Sequence, residues 1–263
     1  MSAKPARRRL LVALLRLAAT VAVGYGFILL IPRLAAMGPD APNPDELGPA
    51  LALPTWSAPA STTPPPPLPP GFPSMQFPPP KIDVEPGEPQ PIATKFGLTY
   101  DIPPDWDNEW SAVFGWSDDD GLIAGYGAHG QYGYEYCDAI DGATLAVTGA
   151  TGKRGIDIET AALEEVRSAE RIFADGDRMP KVTYTEAQHF TIAGNPAVRY
   201  TAFVDDVPKS NECDPPRARF DVVATRGFAT AEVMVLVVEA HQGLPGAIEA
   251  ETIDQIIGTL RPS

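Results

Sequence analysis

The sequence predicts an α+β domain built on a mainly antiparallel sheet, and three observations support this class. Between residues 92 and 263, segments with strand-like patterns outnumber helical ones. Several of them follow one another closely enough to form hairpins, which pair antiparallel strands. Only two segments have the spacing of an amphipathic helix. We therefore expect one sheet packed against two or more helices.

The strands are predicted from the spacing of apolar residues. Apolar and polar residues alternate in Phe96–Ile102, as in a strand with one buried face. A two-residue turn at Gly194-Asn195 would join two later strands into a hairpin. The segment Ala231–Val238 is apolar except for Glu232, which is typical of a central strand covered on both faces. The other predicted strands are Ser111–Trp116, Leu122–Gly127, Thr144–Thr148, Phe190–Ala193, Val198–Phe203 and Arg217–Thr225.

Two helices are predicted, one in the middle and one at the end of this region. Asp157 has the side chain of an N-cap, and apolar residues recur every three or four positions over Ile158–Phe173. The second helix is predicted over Gly246–Leu260. It has acidic residues in its first turns and Arg261 at its end, as the helix dipole favours.

The first 31 residues have the composition of a signal anchor. Residues 1–9 contain a basic cluster, and Leu10–Ile31 form a near-continuous apolar run, long enough to cross a hydrocarbon core of about 30 Å. Arg16 interrupts the run near its basic end, where a long side chain can reach the interface. The positive-inside rule then keeps residues 1–9 in the cytoplasm and places everything after the run outside. A cleaved signal peptide is the alternative, although its apolar region is usually shorter, about 7–15 residues.

Residues 32–91 are predicted to be a disordered, proline-rich linker. Of the 30 prolines in the chain, 19 lie between Pro39 and Pro91. Runs such as Pro64–Pro67 cannot donate backbone hydrogen bonds and favour the extended polyproline II conformation. We expect a semi-rigid spacer that separates a globular domain, residues 92–263, from the membrane.

Two segments of the globular region resemble Mog1/PsbP-like domains. The run Phe96–Trp106 is similar to their opening strand, in which an aromatic-rich strand leads into Pro-x-x-Trp, and Ile253–Leu260 is similar to their C-terminal helix. Anchored versions with proline-rich spacers include the LpqN-like lipoproteins of actinobacterial envelopes. In this chain no cysteine lies directly after the apolar run, where such lipoproteins carry their lipid. The resemblance implies an α/β/α sandwich around an antiparallel sheet and a binding or accessory role. It supplies no catalytic residues.

Charge separates the two ends of the chain. The first 33 residues carry six basic side chains and no acidic one, whereas residues 34–263 carry 14 basic against 34 acidic. A protein that binds nucleic acid needs a basic face to displace counterions from phosphate, so this class is close to excluded. Three histidines and two cysteines are too few for a rich metal site, and we expect neither a metal nor another cofactor.

Cys137 and Cys213 are the only cysteines, and both lie in the part predicted to be exported. An even number of cysteines, here two, in an oxidising compartment indicates a disulfide. Two free buried thiols or a catalytic cysteine are the alternatives.

A glycine-rich segment, Gly149–Gly155, gives the alternative function, an oxidoreductase-like enzyme that holds a nucleotide there. The segment lies between a predicted strand and a predicted helix, and its spacing resembles the phosphate loop of atypical short-chain dehydrogenases. The surrounding strand-rich chain lacks repeated βαβ units, so we favour a plain strand-to-helix turn. A second such segment, Gly125–Gly130, has no helix after it and is predicted to be a loop.

Aromatic side chains are frequent in the first third of the globular region. Tyrosine and tryptophan bind flat or amphipathic ligands such as sugars and lipids, although most such rings fill cores. The candidate binding surface consists of Trp110, Trp116, Tyr126, Tyr132 and Tyr134. Together these patterns predict a single-pass membrane protein with a non-catalytic extracytoplasmic domain that binds a protein or lipid of the cell envelope.

Overall fold

An antiparallel sheet runs through the part of the chain that the computed structural model describes, residues 77–263. The predicted basic tail, the apolar run and residues 32–76 of the predicted linker lie outside these residues. Eleven strands and three helices follow one another in the described chain. The strands are β1 (Gln90–Ala93), β2 (Leu98–Ile102), β3 (Asp107–Asp118), β4 (Gly121–Tyr132), β5 (Ala146–Lys153), β6 (Lys181–Tyr184), β7 (Gln188–Ile192), β8 (Asn195–Asp205), β9 (Arg217–Arg226), β10 (Val233–Gln242) and β11 (Arg261–Pro262). The helices are α1 (Ile158–Arg167), α2 (Ala169–Ile172) and α3 (Ala250–Gly258).

Eight of the strands form the main sheet. Its order is β3-β4-β5-β10-β9-β8-β6, and β7 also pairs with β8. A small second sheet has the order β1-β2-β11. Every strand pairing in both sheets is antiparallel, which confirms the predicted α+β class with a mainly antiparallel sheet.

Strand β10 is a central strand covered on both faces, as predicted. It pairs with β5 on one side and with β9 on the other, and the side chains from Val233 to Ala240 are all buried. Alternate residues enter two separate cores. Leu236 packs with α3 and the small sheet, whereas Val235 packs with α1. We call these two sides of the main sheet the α3 face and the α1 face.

Helix α1 begins where the sequence predicted. The Asp157 Oδ1 atom accepts a hydrogen bond from the Thr160 N–H at 2.9 Å, which satisfies one of the free donors of the first turn. The helix ends earlier than predicted, because Ser168 turns the chain back onto Glu165, whose carbonyl oxygen accepts bonds from both its N–H and its hydroxyl. The short helix α2 follows.

Helix α3 is shorter than the predicted helix over Gly246–Leu260. Gly246 has a φ of 82°, a left-handed conformation that cannot form part of a right-handed helix. The predicted apolar face is nevertheless present, since Ile253 and Ile256 are buried in the core of the α3 face.

The hairpin between β7 and β8 has a two-residue turn, but one residue earlier than predicted. Ala193 and Gly194 form the turn, with φ values of 48° and 80°. The two-residue turn that suits a twisted hairpin requires a positive φ at both central positions, which Ala193 adopts despite its side chain. Asn195 instead opens β8 and pairs with Ile192.

The prediction of a loop at Gly125–Gly130 is wrong, because this segment lies inside β4. Strand β4 contains a bulge between Gly127 and Gly130, where Ala128 has a φ of 54°. The phenol of buried Tyr100 donates a hydrogen bond to the Ala128 carbonyl oxygen and so stabilises the bulge. Glycine here therefore marks a bent strand rather than a loop.

The folded region starts within the segment predicted to be linker. Strand β1 includes Gln90 and Pro91, and the Gln90 amide donates a 2.6 Å hydrogen bond to the Trp106 carbonyl oxygen. The next residue, Ile92, is fully buried. None of the helices between residues 77 and 263 is both long and apolar enough to cross a bilayer.

Candidate functional site

The predicted aromatic surface is divided between the two faces of the main sheet. Trp110 and Tyr132 are half-buried against the core of the α3 face. Tyr132 stacks on Trp106 with 5.7 Å between ring centroids, and the Lys81 ammonium lies 5.2 Å from the centroid of the Trp110 ring. The contact with Trp110 holds the chain around Lys81 at the start of the domain.

The other three aromatic residues lie elsewhere. Trp116 meets Tyr126 edge-on at 6.0 Å on the α1 face. Tyr126 is fully buried and donates a hydrogen bond to Glu165, which also pairs with the Lys153 ammonium at 2.7 Å. Burial and the adjacent carboxylate raise the pKa of Tyr126, which stays protonated as a donor. Tyr126 is therefore a core residue, and Tyr134 alone of the five is largely exposed.

The glycine-rich segment is a strand over most of its length. Gly149 and Gly152 lie in β5 and pair with Val237 and Met234 of β10. A Cβ atom on Gly149 would lie 2.5 Å from Cε1 of Phe114, so this position leaves no room for a side chain. The predicted turn is confined to the residues between β5 and α1.

Carboxylates already accept hydrogen bonds from two backbone N–H groups at this turn and in the first turn of α1. The Gly155 N–H donates to Oε2 of Glu232 at 2.8 Å, and the Thr160 N–H donates to Asp157. A phosphate group would have to displace these bonds and approach two negative charges. This arrangement does not favour a bound nucleotide.

The predicted disulfide between Cys137 and Cys213 is present. It joins the loop after β4 to the loop between β8 and β9, and no cysteine of the described chain is free. The Tyr136 phenol donates a hydrogen bond to the Cys213 carbonyl oxygen, which ties the two loops together a second time.

A buried carboxyl group and a half-buried imidazole lie close to Tyr136. Glu239 and His241 are two residues apart on β10, with 3.5 Å between Glu239 Oε1 and His241 Nε2, too long for a well-formed hydrogen bond. Burial raises the pKa of Glu239 to about 8 and lowers that of His241 to about 4, so both are neutral near pH 7. The ring of Tyr136 meets His241 edge-on at 6.2 Å.

The most extensive polar cluster centres on Asp221, whose side chain is fully buried on the α3 face. Its carboxylate accepts hydrogen bonds from Arg199, Arg219 and Thr201, at 2.6 Å for the shortest of each. Arg199 also reaches Asp254 of α3 at 2.8 Å. A buried carboxylate is stable when it is paired in this way, and the cluster holds both guanidinium groups in place.

A cleft of about 440 Å³ lies beside this cluster, over strands β6, β8 and β9. Its wall includes Phe203, which is 43% exposed, with the Arg219 guanidinium 5.6 Å from the ring centroid. Arg217 also lines the cleft, and its side chain forms no hydrogen bond or ion pair with any residue between 77 and 263. Thr183 and Gln242 add polar groups. This cleft is the candidate functional site.

The histidines are separated from one another. Burial lowers the pKa of His129 to about 4, and its ring stacks on Phe114 at 4.4 Å. His189 is exposed on β7. Among the described residues, no group of three or more histidine, cysteine or acidic side chains is arranged to hold a metal ion.

A family model for a domain of unknown function, DUF8017, matches residues 82–263, well over half of the chain. The chain belongs to the DUF8017 family. Among curated proteins, none matches it. A crystal structure of a protein from Bacteroides thetaiotaomicron VPI-5482 aligns with 68% of this chain at 11% identity and a TM-score of 0.33. The alignment covers 49% of that protein, and a likeness at this level carries no inference about the DUF8017 domain.

The cleft was not predicted from the sequence, although the spacing of its charged residues along β9 could have indicated it. Arg217, Arg219 and Asp221 alternate with buried Ala218 and Phe220 along β9. The alternation predicted the strand from its apolar side, and no role was predicted for the three charged residues on the other side. Their position on the α3 face of this DUF8017 domain is not specified by the local sequence.

Proposed function

We propose that this chain is a single-pass membrane protein whose DUF8017 domain lies outside the cytoplasm and binds a partner of the cell envelope, protein or lipid, without catalysis. The disulfide between Cys137 and Cys213 carries the proposal. Such bridges persist in oxidising compartments and are rare in cytosolic proteins.

The N-terminal sequence supports the same location. A basic segment, an apolar run and a proline-rich segment precede the domain in the order expected of an anchor followed by a spacer. The resemblance to Mog1/PsbP-like domains, with their α/β/α arrangement, agrees with a binding role and stays a prediction.

The cleft beside Arg217 supports the binding part of the proposal. Sites for small molecules are concave surfaces that combine an apolar wall with a few polar groups that fix orientation. The exposed ring of Phe203 and the unpaired Arg217 guanidinium provide both features. The alternative function as a nucleotide-dependent enzyme lacks this support, because Glu232 and Asp157 already accept hydrogen bonds from N–H groups at the glycine-rich turn and in the first turn of α1.

Reporter fusions test the location. Alkaline phosphatase is active only outside the cytoplasm and β-galactosidase only inside, so we expect activity of the first and not of the second when each is fused after Ser263. The same fusions without residues 1–33 are the control and should show the opposite pattern. An active β-galactosidase fusion of the full chain would contradict the proposed orientation.

A thermal shift assay with NAD and NADP, oxidised and reduced, tests the alternative function. We expect no change in the melting temperature with any of them. A shift that increases with nucleotide concentration would instead support the enzyme and reject the proposed role.

A further inference from the structure

The cleft lies on the α3 face beside the start of α3, whose first residue, Ala250, lines it. The core on this face includes Ala197 of β8 and Val223 of β9. Phe203 and Arg219 occupy the same face of these strands beyond that core, where the Phe203 ring is left partly exposed. The exposed part of this ring is therefore available to a ligand in the cleft.

Arg219 is held in place over this ring, with its guanidinium carbon 5.6 Å from the ring centroid. Its Nε and one Nη atom lie 2.6 and 3.1 Å from the two carboxylate oxygens of Asp221. Its other Nη atom forms no hydrogen bond with any part of the chain that the structure describes. A guanidinium that is already positioned loses little freedom when it binds an anion.

Arg217 adds a second cation on the same side of β9. It is exposed, and Asp205, its register partner on β8, is not within ion-pair distance. Two arginines and one aspartate thus line the cleft, whereas residues 77–263 as a whole carry 14 basic against 31 acidic side chains. Asp221, Asp254 and Glu251 lie around Arg219 and balance its charge. Arg217 is therefore the cation of the cleft without an acidic partner, and it favours an anionic ligand.

We propose that this cleft binds a small ligand in which an oxyanion, phosphate or carboxylate, is joined to a flat apolar group. Arg217 and Arg219 hold the oxyanion by charge-assisted hydrogen bonds, and Phe203 packs against the apolar part. The volume of about 440 Å³ is in the range of small-molecule sites. This inference goes beyond the proposed envelope partner, because it gives the cleft a small ligand of its own.

Calorimetric titration of the full chain, in detergent and without reductant, tests the proposal. The probes are phenyl phosphate, benzoate and inorganic phosphate. We expect saturable binding of phenyl phosphate or benzoate at one site, tighter than that of inorganic phosphate, which lacks the ring. Whichever of the two ring compounds binds more tightly identifies the preferred oxyanion.

Matched variants locate the site. Arg217→Gln should weaken the binding of the ring compounds roughly tenfold, because one charge-assisted hydrogen-bonding group is lost. Arg226→Gln removes the same charge from an exposed arginine at the other end of β9 and should leave affinity unchanged. Phe203→Ala should weaken phenyl phosphate but not inorganic phosphate. Arg217 and Phe203 are exposed, so we expect both variants to keep the melting temperature of the wild type.

The proposal is overturned if the wild type binds none of the three probes saturably, or if Arg217→Gln and Arg226→Gln weaken binding equally. Either result leaves the reporter fusions unaffected. The binding experiment and the test of location therefore fail independently.

Discussion

Glu239 is a carboxyl side chain within the most buried strand, and its position makes the stability of the domain depend on pH. Burial raises its pKa from 4.5 to about 8, so the folded chain keeps a proton that the unfolded chain has lost over this interval. Rising pH therefore destabilises the fold between these values. The imidazoles of buried His129 and half-buried His241 act in the opposite sense. Their pKa values fall from 6.5 to about 4, so falling pH favours the unfolded chain, which takes up their protons.

We expect the unfolding free energy to be highest near pH 6.5, with Glu239 alone lowering it by about 2 kcal/mol on going to about pH 8.5. Glu239→Gln should abolish most of this alkaline loss, because the amide does not titrate. Urea denaturation at about pH 6.5 and about pH 8.5 measures this loss of unfolding free energy. Glu212→Gln, at an exposed carboxyl, is the control and should keep the loss. An equal alkaline loss in wild type and Glu239→Gln would refute this account.

Strand β5 is the element whose sequence was most misleading. Glycines between a strand and a helix are typical of a phosphate loop or a turn, yet Gly149 and Gly152 lie in the sheet. The reason is contact across the sheet, since the ring of Phe114 from β3 lies directly over Gly149. The local sequence of β5 does not specify which ring from another strand will pack against it.

The packing of β5 gives a direct prediction. Gly149→Ala should lower the unfolding free energy by about 1–3 kcal/mol, because its Cβ would lie 2.7 Å from Cβ of Tyr126, which cannot move freely in the core. Gly258→Ala is the matched control in α3, where nothing lies within 4 Å, and it should be neutral or stabilising by up to about 1 kcal/mol. Denaturant unfolding compares the two. Similar effects at both positions would show that close packing does not explain the glycine in β5.

Other elements were predictable from local patterns alone. The Asp157 cap, the apolar face of α3 and the covered strand β10 each depend on residues within one segment, and the structure has all three. The disulfide was predictable because the chain has two cysteines and both lie in the part predicted to be exported. The cleft was not, since Arg217 and Phe203 come from strands that meet only through the pairing of β8 with β9.

At the scale of the whole domain, the disulfide links two loops that are distant in sequence. Cys137 and Cys213 are 76 residues apart, and the segment between them includes strands β5 to β8 and helices α1 and α2. In the unfolded chain this bridge restricts a long loop, which removes conformational freedom that folding would otherwise have to overcome.

Replacing both cysteines, Cys137→Ser with Cys213→Ser, should lower the unfolding free energy by about 4–5 kcal/mol on the chain-entropy view. Guanidinium denaturation with and without reductant measures it, and the wild type in reductant should approach the double variant. The double variant itself should be indifferent to reductant. If reductant leaves the midpoint of the wild type unchanged, the bridge does not stabilise the domain.

The small sheet also determines how the domain responds to a pull on its ends. Gln90 of β1 pairs with Ile102, at one end of β2, and Pro262 of β11 pairs with Leu98 at the other end. A stretching force between residue 90 and Ser263 would draw β1 and β11 in opposite directions along β2. Their interstrand hydrogen bonds would then bear the load together, in shear, rather than break one after another. Such a geometry resists mechanical unfolding.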